Sequence, residues 1–347
     1  MTDQPVSFTR RELGLLAGNI GRATMAGGMM LPRPAFAQQT KAVLGHFGSA
    51  NPQTFGKANG AFAAAMGSGV TTDFVTVSAG PQIIAAMAGN SMDICNIGSS
   101  PMVVAFGQNM KLSMVYVQKY ITDSECLAVR NDAGVDTLKD LKGKKIGLPF
   151  NTSVHFAALA ALETVGLKAG DVTLINLRPD AMLAAWRRKD VDAAYIWHPV
   201  LGDLAKENGR ILFKTGELAD RGTLVFDGII VRNEFKEKQP GLVLAYLKEY
   251  DRLARMYREQ PQEVIRVLSP YLSMTPEKAQ EYIDTFYALS PKEMATDKWM
   301  GLPGAKNTGV EKTLRAQAEF LKAADQMKEI PPSFAPFVDS SFLAKMI

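Results

Sequence analysis

The sequence predicts an α/β protein in which helices connect parallel strands. Residues 142–199 alternate short apolar runs with amphipathic segments, in the order strand, helix, strand, helix, strand. A similar alternation occupies residues 43–130, and apolar residues recur at helical spacing from Gln239 onward. In such a sheet the carboxyl ends of the strands share one edge, and ligands usually bind there. We therefore expect binding residues just after predicted strands.

Small residues follow the predicted strands of the first segment. Gly98-Ser99-Ser100-Pro101 comes directly after a strand and opens a helix. Glycine permits a tight turn, and the two serines could cap the helix or donate hydrogen bonds to a ligand. A simple helix cap is the alternative interpretation. The predicted strands are Val43–Phe47, Thr72–Val77, Asp93–Ile97, Leu112–Gln118 and Glu125–Arg130, and the predicted helices include Phe55–Met66 and Pro81–Ala88.

The helix that follows the apolar strand Ile146–Leu148 is the best candidate for an anion site. Asn151, Thr152 and Ser153 place small polar side chains where this helix begins. First-turn N–H groups have no intrahelical acceptor, and the helix dipole favours negative charge there. His155 lies at the same helix start, and we therefore select it as the histidine most suited to contact a ligand.

Two tryptophans fall in the second α/β segment. Trp186 lies on the predicted helix Asp180–Arg188, and Trp197 ends the predicted strand Ala193–Trp197. We expect both near the carboxyl rim of the sheet, where an aromatic face could contact a ligand cation. Core packing is the alternative for Trp186. Trp197 precedes a His-Pro turn, which favours exposure at the strand tip.

A single carboxylate interrupts the apolar run Leu224–Val231. Burying Asp227 in such a strand is costly unless the carboxylate has a partner. One interpretation is that Asp227 pairs with an ammonium group of a ligand. The alternative is a turn aspartate that accepts a hydrogen bond from a neighbouring backbone N–H.

Composition and motifs narrow the class of protein. The chain has 347 residues, 47% of them hydrophobic, which is enough for one large or two medium domains. A formal charge of +4 without clustering gives no reason to expect a nucleic-acid partner. The sequence contains no P-loop, no HExxH, no GxSxG and no GxGxxG after a strand, so we predict no catalytic residues and no cofactor.

The two cysteines do not indicate a metal site. Cys95 and Cys126 lack matching histidine or aspartate spacing, so we predict no metal ligands. Both lie in apolar runs typical of strands. Two buried free thiols are the expected state, although an exported protein could also form a disulfide.

The N-terminus has the features of an export signal. Phe8-Thr9-Arg10-Arg11-Glu12-Leu13 resembles the twin-arginine motif, and a weakly apolar stretch rich in glycine and alanine follows. Ala35-Phe36-Ala37 supplies small residues for cleavage before Gln38. We therefore predict a signal peptide at residues 1–37 and export to the periplasm by the twin-arginine route. A disordered tail with chance arginines is the alternative.

Three stretches carry a family resemblance. The stretches GKKIGLPFNTSVHFAALAALE, NLRPDAMLAAWRRKDVDAAYIWHPVL and DICNIGSSP resemble the taurine-binding periplasmic proteins of ABC importers. The wider group binds aliphatic sulfonates, nitrate and thiamine-related pyrimidines. The resemblance runs from about residue 42 to about residue 240, and more loosely to the C-terminus.

The resemblance implies a two-lobed periplasmic binding protein of type II. Each lobe would be a mixed sheet flanked by helices, and the ligand would bind in the cleft between the lobes. Residues 38–124 and 228–347 would form one lobe, and residues 125–227 the other. We expect a monomer that delivers its ligand to a membrane permease, with the permease and its ATPase as separate chains.

The implied site suits a small zwitterion. A sulfonate spreads its charge over three oxygens and suits N–H groups and hydroxyls, whereas an ammonium needs a carboxylate or an aromatic face. One departure concerns Asn51, which stands where the family typically has a glutamate. The predicted substrate-binding residues are Asn51, Ser99, Ser100, Glu125, Asn151, Thr152, Ser153, His155, Trp186, Trp197 and Asp227.

Three functions remain open at this point. The first is binding of taurine or a closely related aliphatic sulfonate. The second is the same transport role for a nitrate-like anion or for a thiamine-related pyrimidine held between the two tryptophans. The third is a secreted enzyme resembling thiamine-pyrimidine synthases, which would need a histidine or cysteine nucleophile in the cleft.

Overall fold

Ten strands in two sheets organise the part of the chain described by the computed structural model, residues 40–77, 80–323 and 326–347. The predicted export signal, residues 1–37, lies outside these ranges. The strands are β1 (Thr40–Phe47), β2 (Val70–Val77), β3 (Ile94–Gly98), β4 (Leu112–Tyr120), β5 (Glu125–Arg130), β6 (Lys145–Leu148), β7 (Thr173–Asn176), β8 (Ala193–Trp197), β9 (Gly209–Lys214) and β10 (Phe226–Arg232).

Helices cover both sheets, and several of them begin with proline, whose fixed φ suits a first helical turn. In the described ranges they are α1 (Pro52–Ala58), α2 (Ala61–Met66), α3 (Gly80–Ala88), α4 (Ser99–Gly107), α5 (Ser153–Glu163), α6 (Pro179–Arg187), α7 (Val200–Lys206), α8 (Asn233–Lys238), α9 (Pro240–Glu259), α10 (Pro261–Tyr271), α11 (Pro276–Asp284), α12 (Pro291–Met294) and α13 (Gly309–Ala323).

The two sheets share one plan. The first has the order β2-β1-β3-β10-β4, with β1, β2 and β3 parallel and β10 antiparallel to both of its neighbours. The second has the order β7-β6-β8-β5-β9, with β6, β7 and β8 parallel and β5 antiparallel to both of its neighbours. We call each sheet with its helices the first and the second lobe. The predicted two-lobed α/β fold with mixed sheets is confirmed.

The chain passes between the sheets twice. It leaves the first sheet after Tyr120 and enters the second at Glu125, then returns between Lys214 and Phe226. Because β5 and β10 begin directly after these crossings and run antiparallel, their first residues lie at the edge where the parallel strands end. The predicted lobe boundaries at 124/125 and 227/228 fall beside the crossings and stay a prediction.

Each lobe has its own apolar core. The core of the first lobe includes residues of β1, β3 and β10 together with residues of α9, α10, α11 and α13. In the second lobe, successive residues of β5 face opposite sides of the sheet, as strand geometry requires. Leu127 and Val129 pack on the α5 side, while Cys126 and Ala128 pack against α6 and α7.

One predicted helix is wrong, and one strand was not predicted. Phe55–Met66 is two helices, because Asn59 ends α1 and Gly60 adopts a left-handed conformation with φ of 74° before α2. The strand β9 was not predicted, since its residues GRILFK alternate weakly and lie on an edge of the sheet. The two cysteines are free thiols buried in different lobes.

A helix needs about 20 consecutive, mostly apolar residues to cross a bilayer. Over residues 40–77, 80–323 and 326–347, no helix is long and apolar enough to cross a membrane.

Candidate ligand-binding site

A cavity of about 650 Å³ lies between the two lobes, at the edge where the parallel strands end. The first lobe contributes residues after β1 and β3, and the second contributes residues after β6, β7 and β8. The end of β4 and the starts of β5 and β10 add Lys119, Glu125 and Asp227. The sheet plan therefore brings charged side chains from both lobes into one space, as the strand–helix alternation predicted.

Three charged residues form a cluster in this cavity. The Lys119 ammonium lies 3.6 Å from the Asp227 carboxylate, and their side chains are only 17% and 16% exposed. Glu125 is buried and accepts hydrogen bonds from the Ser153 hydroxyl at 2.8 and 3.0 Å. Lys119 is thus a cation next to two carboxyl groups. We call Lys119, Glu125 and Asp227 the charge cluster.

Burial raises the pKa values of both carboxylates. Burial raises the pKa of Glu125 to about 7, with a further rise from Asp227 that Lys119 and the Ser153 hydroxyl oppose. Burial also raises the pKa of Asp227, and Lys119 again opposes the shift. Two carboxyl groups beside one lysine give the charge cluster more hydrogen-bond acceptors than cations, so it suits a ligand group with N–H donors and positive charge, which would also oppose these pKa shifts.

The start of α5 borders the cavity, but its hydroxyl groups already have acceptors. Thr152 Oγ1 donates to the Pro149 carbonyl at 2.7 Å, and Ser153 donates to Glu125. What α5 offers a ligand is its first-turn N–H groups and the positive end of its dipole. Thr152 and Ser153 line the cavity as predicted, and their hydroxyls donate within the protein.

Ser99 and Ser100 lie behind the cavity wall. Both are buried, and both bond to the Gln317 amide of α13, which donates to Ser99 Oγ at 2.8 Å and accepts from Ser100 Oγ at 3.2 Å. Their neighbours Gly98 and Pro101 line the cavity instead. The expected hydroxyl contact with a ligand is thus not supported, because these hydroxyls connect α4 to α13.

Asn51 lines the cavity, and its amide is occupied by the loop that it closes. Its Oδ1 accepts from the Thr54 N–H at 2.9 Å as the N-cap of α1. Its Nδ2 donates to the Phe47 carbonyl and to Ser49 Oγ. The departure from the family's glutamate therefore leaves a helix cap at this position.

Asn151 and His155 form a support for Phe150, outside the cavity lining. Asn151 is exposed with φ of 59°, and its N–H donates to His155 Nδ1 at 3.4 Å. The His155 ring stacks on Phe150 at 4.6 Å, and Phe150 lines the cavity. Neither Asn151 nor His155 lines the cavity. The predicted direct contact of these two residues with a ligand is therefore not supported.

Burial lowers the pKa of His155 from 6.5 to about 4. The stability it contributes is therefore complete above about pH 6.5 and lost as the pH falls toward about 4, since the unfolded chain takes up a proton first. We expect wild-type protein to lose more free energy of unfolding than His155→Phe across this window, measured by urea denaturation. The NMR signals of the His155 ring should not titrate above about pH 5. An inflection near the ordinary histidine pKa would contradict the burial argument.

The two predicted tryptophans have different roles. Trp197 lines the cavity and pairs across the strands with Glu125. Trp186 is 3% exposed, packs in the apolar core beside Leu204 and donates from Nε1 to the Glu207 carbonyl at 2.7 Å. Its predicted place at the ligand rim is wrong, because the apolar face of α6 turns it into the lobe.

Sequence reasoning missed several cavity residues. Lys119, Asn96, Gln118 and Ser124 all line the cavity. Asn96 Oδ1, Gln118 Oε1 and Ser124 Oγ are buried and lack a hydrogen-bond partner within the described part of the chain. The signal for Lys119 was available, since it is a lone charge at the end of the apolar run Leu112–Gln118.

Across the three described ranges, no group of three or more histidine, cysteine, aspartate or glutamate side chains is arranged to hold a metal ion. Neither cysteine lines the cavity, and burial raises the pKa of both thiols, that of Cys126 to about 12.

The two lobes and the cleft with its charge cluster define a two-lobed ligand-binding protein. The model of the NMT1-like family matches residues 37–268. The taurine-binding periplasmic protein of Escherichia coli (strain K12) is 30% identical over 321 residues, which cover 88% of this chain and 94% of that protein. The chain belongs to the NMT1-like family, and the resemblance to taurine-binding periplasmic proteins is confirmed.

Solved structures share the fold at lower sequence identity. The alkanesulfonate-binding protein SsuA from Xanthomonas axonopodis pv. citri, bound to MOPS, has a TM-score of 0.72 at 20% identity, covering 87% of this chain and 99% of that one. The desulfurization enzyme DSZB has a TM-score of 0.61 at 15% identity, covering 88% and 98%. The fold therefore occurs in both binding proteins and an enzyme, and it does not by itself decide between them.

Proposed function

We propose that this protein is an extracytoplasmic substrate-binding protein that delivers taurine, or a closely related aliphatic sulfonate, to an ABC importer. The observation that carries the proposal is the charge cluster of Lys119, Glu125 and Asp227 beside the N-terminus of α5 in the interlobe cavity. A relative at 30% identity, aligned over 88% of this chain, is described as a taurine-binding periplasmic protein. We therefore assign the cavity to a small zwitterion.

The two ends of a zwitterion find different partners in this cavity. The first-turn N–H groups of α5 suit the sulfonate oxygens, which need several donors and no full counter-charge. Asp227 and Glu125 suit the ammonium, because the charge cluster contains two carboxylates and one lysine. Trp197 adds an aromatic face beside Glu125. A ligand that carries only one of the two charged groups would leave part of this site unmatched.

Delivery follows from the connection of the lobes. Two crossings between the sheets allow the lobes to close around a ligand, and the closed form would dock on a permease whose ATPase is a separate chain. We propose a monomer located in the periplasm and exported by the twin-arginine route through residues 1–37. The protein would bind its ligand and perform no chemistry on it.

The alternatives have less support. A pyrimidine held between two tryptophans needs both rings in the cavity, and Trp186 packs in the core of the second lobe. An enzyme of this fold would need a nucleophile in the cleft, and the two cysteines are buried elsewhere. His198 is the histidine that borders the cavity, and burial lowers its pKa.

Calorimetry on protein refolded to remove carried ligand tests the proposal. We expect taurine to bind with a Kd of about 1 μM or tighter, and ethanesulfonate and nitrate to bind more weakly. Asp227→Asn should weaken taurine by about 2 kcal/mol and spare ethanesulfonate, since only taurine carries an ammonium. Asp180→Asn, at an exposed carboxylate of the cavity rim, is the matched control. Equal losses for both ligands would reject the Asp227 pairing, and no sulfonate binding at all would reject the function.

A further inference from the structure

The cavity continues beyond the charge cluster to a wall formed by α11. Tyr282, Thr285 and Phe286 line the cavity from this helix and from the residues directly after it. Trp197 and His198, at the tip of β8, line it from the second lobe. The Tyr282 and His198 rings lie 6.4 Å apart, so the two lobes nearly meet here. We call these five residues the α11 wall.

The α11 wall adjoins the charge cluster. The N–H of Tyr120, next to Lys119, donates to the carbonyl of Tyr287, next to Phe286, at 2.9 Å. On the other lobe, Glu125 pairs across the strands with Trp197. A ligand nitrogen held by Asp227 and Glu125 would therefore have the α11 wall within reach of its substituents.

The lobes already touch at this end of the cleft. Lys206 of α7 binds Glu281 of α11 at 2.5 Å, and Lys278 of α11 binds Asp203 of α7 at 3.0 Å. Gly202 allows the approach, because a Cβ there would lie 2.8 Å from Glu281 Oε2. The cavity volume therefore belongs to a form of the protein in which α7 and α11 are already in contact.

The cavity is larger, and its α11 wall is more aromatic, than taurine requires. At about 650 Å³ the cavity falls within the range of roughly 300–1,000 Å³ typical of pockets for drug-sized ligands. Taurine is a two-carbon chain between two charged groups, which would leave the rings of Tyr282, Phe286 and Trp197 without contacts. Three residues of the wall, Tyr282, Thr285 and Phe286, also lie beyond the residues that the family model matches, which end at 268.

We propose that the α11 wall is an apolar subsite that takes a ring-sized substituent on the amino nitrogen of the ligand, so that the preferred substrate is an N-substituted taurine. The inference rests on the proposed function, since it needs the sulfonate and the ammonium to bind as assigned. The sulfonate faces α5, the protonated amine faces the charge cluster, and the apolar substituent packs among Trp197, Tyr282 and Phe286. A protonated secondary amine keeps its positive charge and two N–H donors, which is one for each carboxylate of the charge cluster.

A matched pair of ligands tests the subsite. N-cyclohexyltaurine differs from taurine only by a ring on nitrogen, and ethanesulfonate reports sulfonate binding alone. In calorimetry on the refolded wild-type protein we expect N-cyclohexyltaurine to bind at least about tenfold more tightly than taurine, because the ring buries apolar surface. If taurine binds and N-cyclohexyltaurine binds more weakly, the subsite is wrong while the proposed function stands. If none of the three sulfonates binds, the proposed function itself fails.

Two variants locate the ring. Thr285→Phe fills the subsite and should weaken N-cyclohexyltaurine by about tenfold or more while changing taurine by less than about twofold. Tyr282→Ala removes part of the wall and should reduce the preference for the ring. Tyr271→Ala, an exposed aromatic residue outside the cavity lining, is the control, and circular dichroism checks that each variant folds. Tight ring binding that neither variant reduces would place the ring elsewhere and overturn the proposal.

Discussion

Replacing Lys119 by Met should lower the free energy of unfolding by about 3–5 kcal/mol above neutral pH. Lys119 is the cation that faces both carboxylates of the charge cluster, and it lies 3.6 Å from Asp227. Its removal leaves two buried negative charges that repel each other without a counter-charge. Urea denaturation of the wild type and the variant at about pH 8 measures the loss.

The pH dependence of this loss identifies its cause. The folded pKa of Glu125 is raised from 4.5 to about 7, so the stability it contributes is complete below about pH 4.5 and lost as the pH rises through about 7. Without Lys119 the pKa values of Glu125 and Asp227 should rise further, because Lys119 lowers both. The variant should therefore approach wild-type stability near about pH 5.

Controls separate charge from side-chain volume. Lys119→Arg keeps the charge and should retain most of the stability, whereas Lys142→Met, at a side chain that is 72% exposed, should have little effect. An equal loss at low and high pH would contradict the electrostatic account and would indicate that packing of the lysine stem is responsible.

Replacing Trp186 by Ala should cost about 3–5 kcal/mol of folding free energy and leave taurine binding to the folded protein unchanged. The substitution opens a cavity in the core of the second lobe and leaves the Glu207 carbonyl without its donor. Denaturation measures the first effect, and calorimetry at a temperature where the variant is folded measures the second.

Trp197→Ala is the matched comparison. Trp197 is only partly buried and lines the ligand cavity, so its loss should weaken ligand binding more than it lowers stability. Normal ligand affinity in Trp197→Ala together with weakened affinity in Trp186→Ala would show that the roles of the two tryptophans are reversed.

The local sequence pattern predicted most strands and helices of the second lobe. Ile146–Leu148 lies within β6, and Ala193–Trp197 is β8. Apolar periodicity and turn residues act over a few positions, so they can be read along the chain. The sequence also selected Glu125, Thr152, Ser153, Trp197 and Asp227 as candidate ligand contacts, and all five line one cavity.

The partners of the polar side chains could not be read in this way. Ser99 and Ser100 have the sequence of a ligand-binding turn, but both bond to Gln317 of α13. Gln317 donates to Ser99, 218 positions away, and accepts from Ser100, 217 positions away. The α/β alternation predicted Trp186 and Trp197 equally near the ligand rim. Only the packing of α6 shows that Trp186 lies in the core of the second lobe. A side chain is free for a ligand only if no distant group satisfies it first.

The sequence by itself determined the family, the two-lobed α/β fold and the edge of the sheets where a ligand would bind. The family and the two-lobed plan follow from the resemblance carried by the three motif stretches, and the sheet edge follows from local periodicity and turn chemistry. The tertiary structure alone decided that Lys119 joins Glu125 and Asp227, that Asn51 is a helix cap, and that α11 forms one wall of the cleft. Each depends on contacts between residues far apart in the chain, because burial and charge act through space.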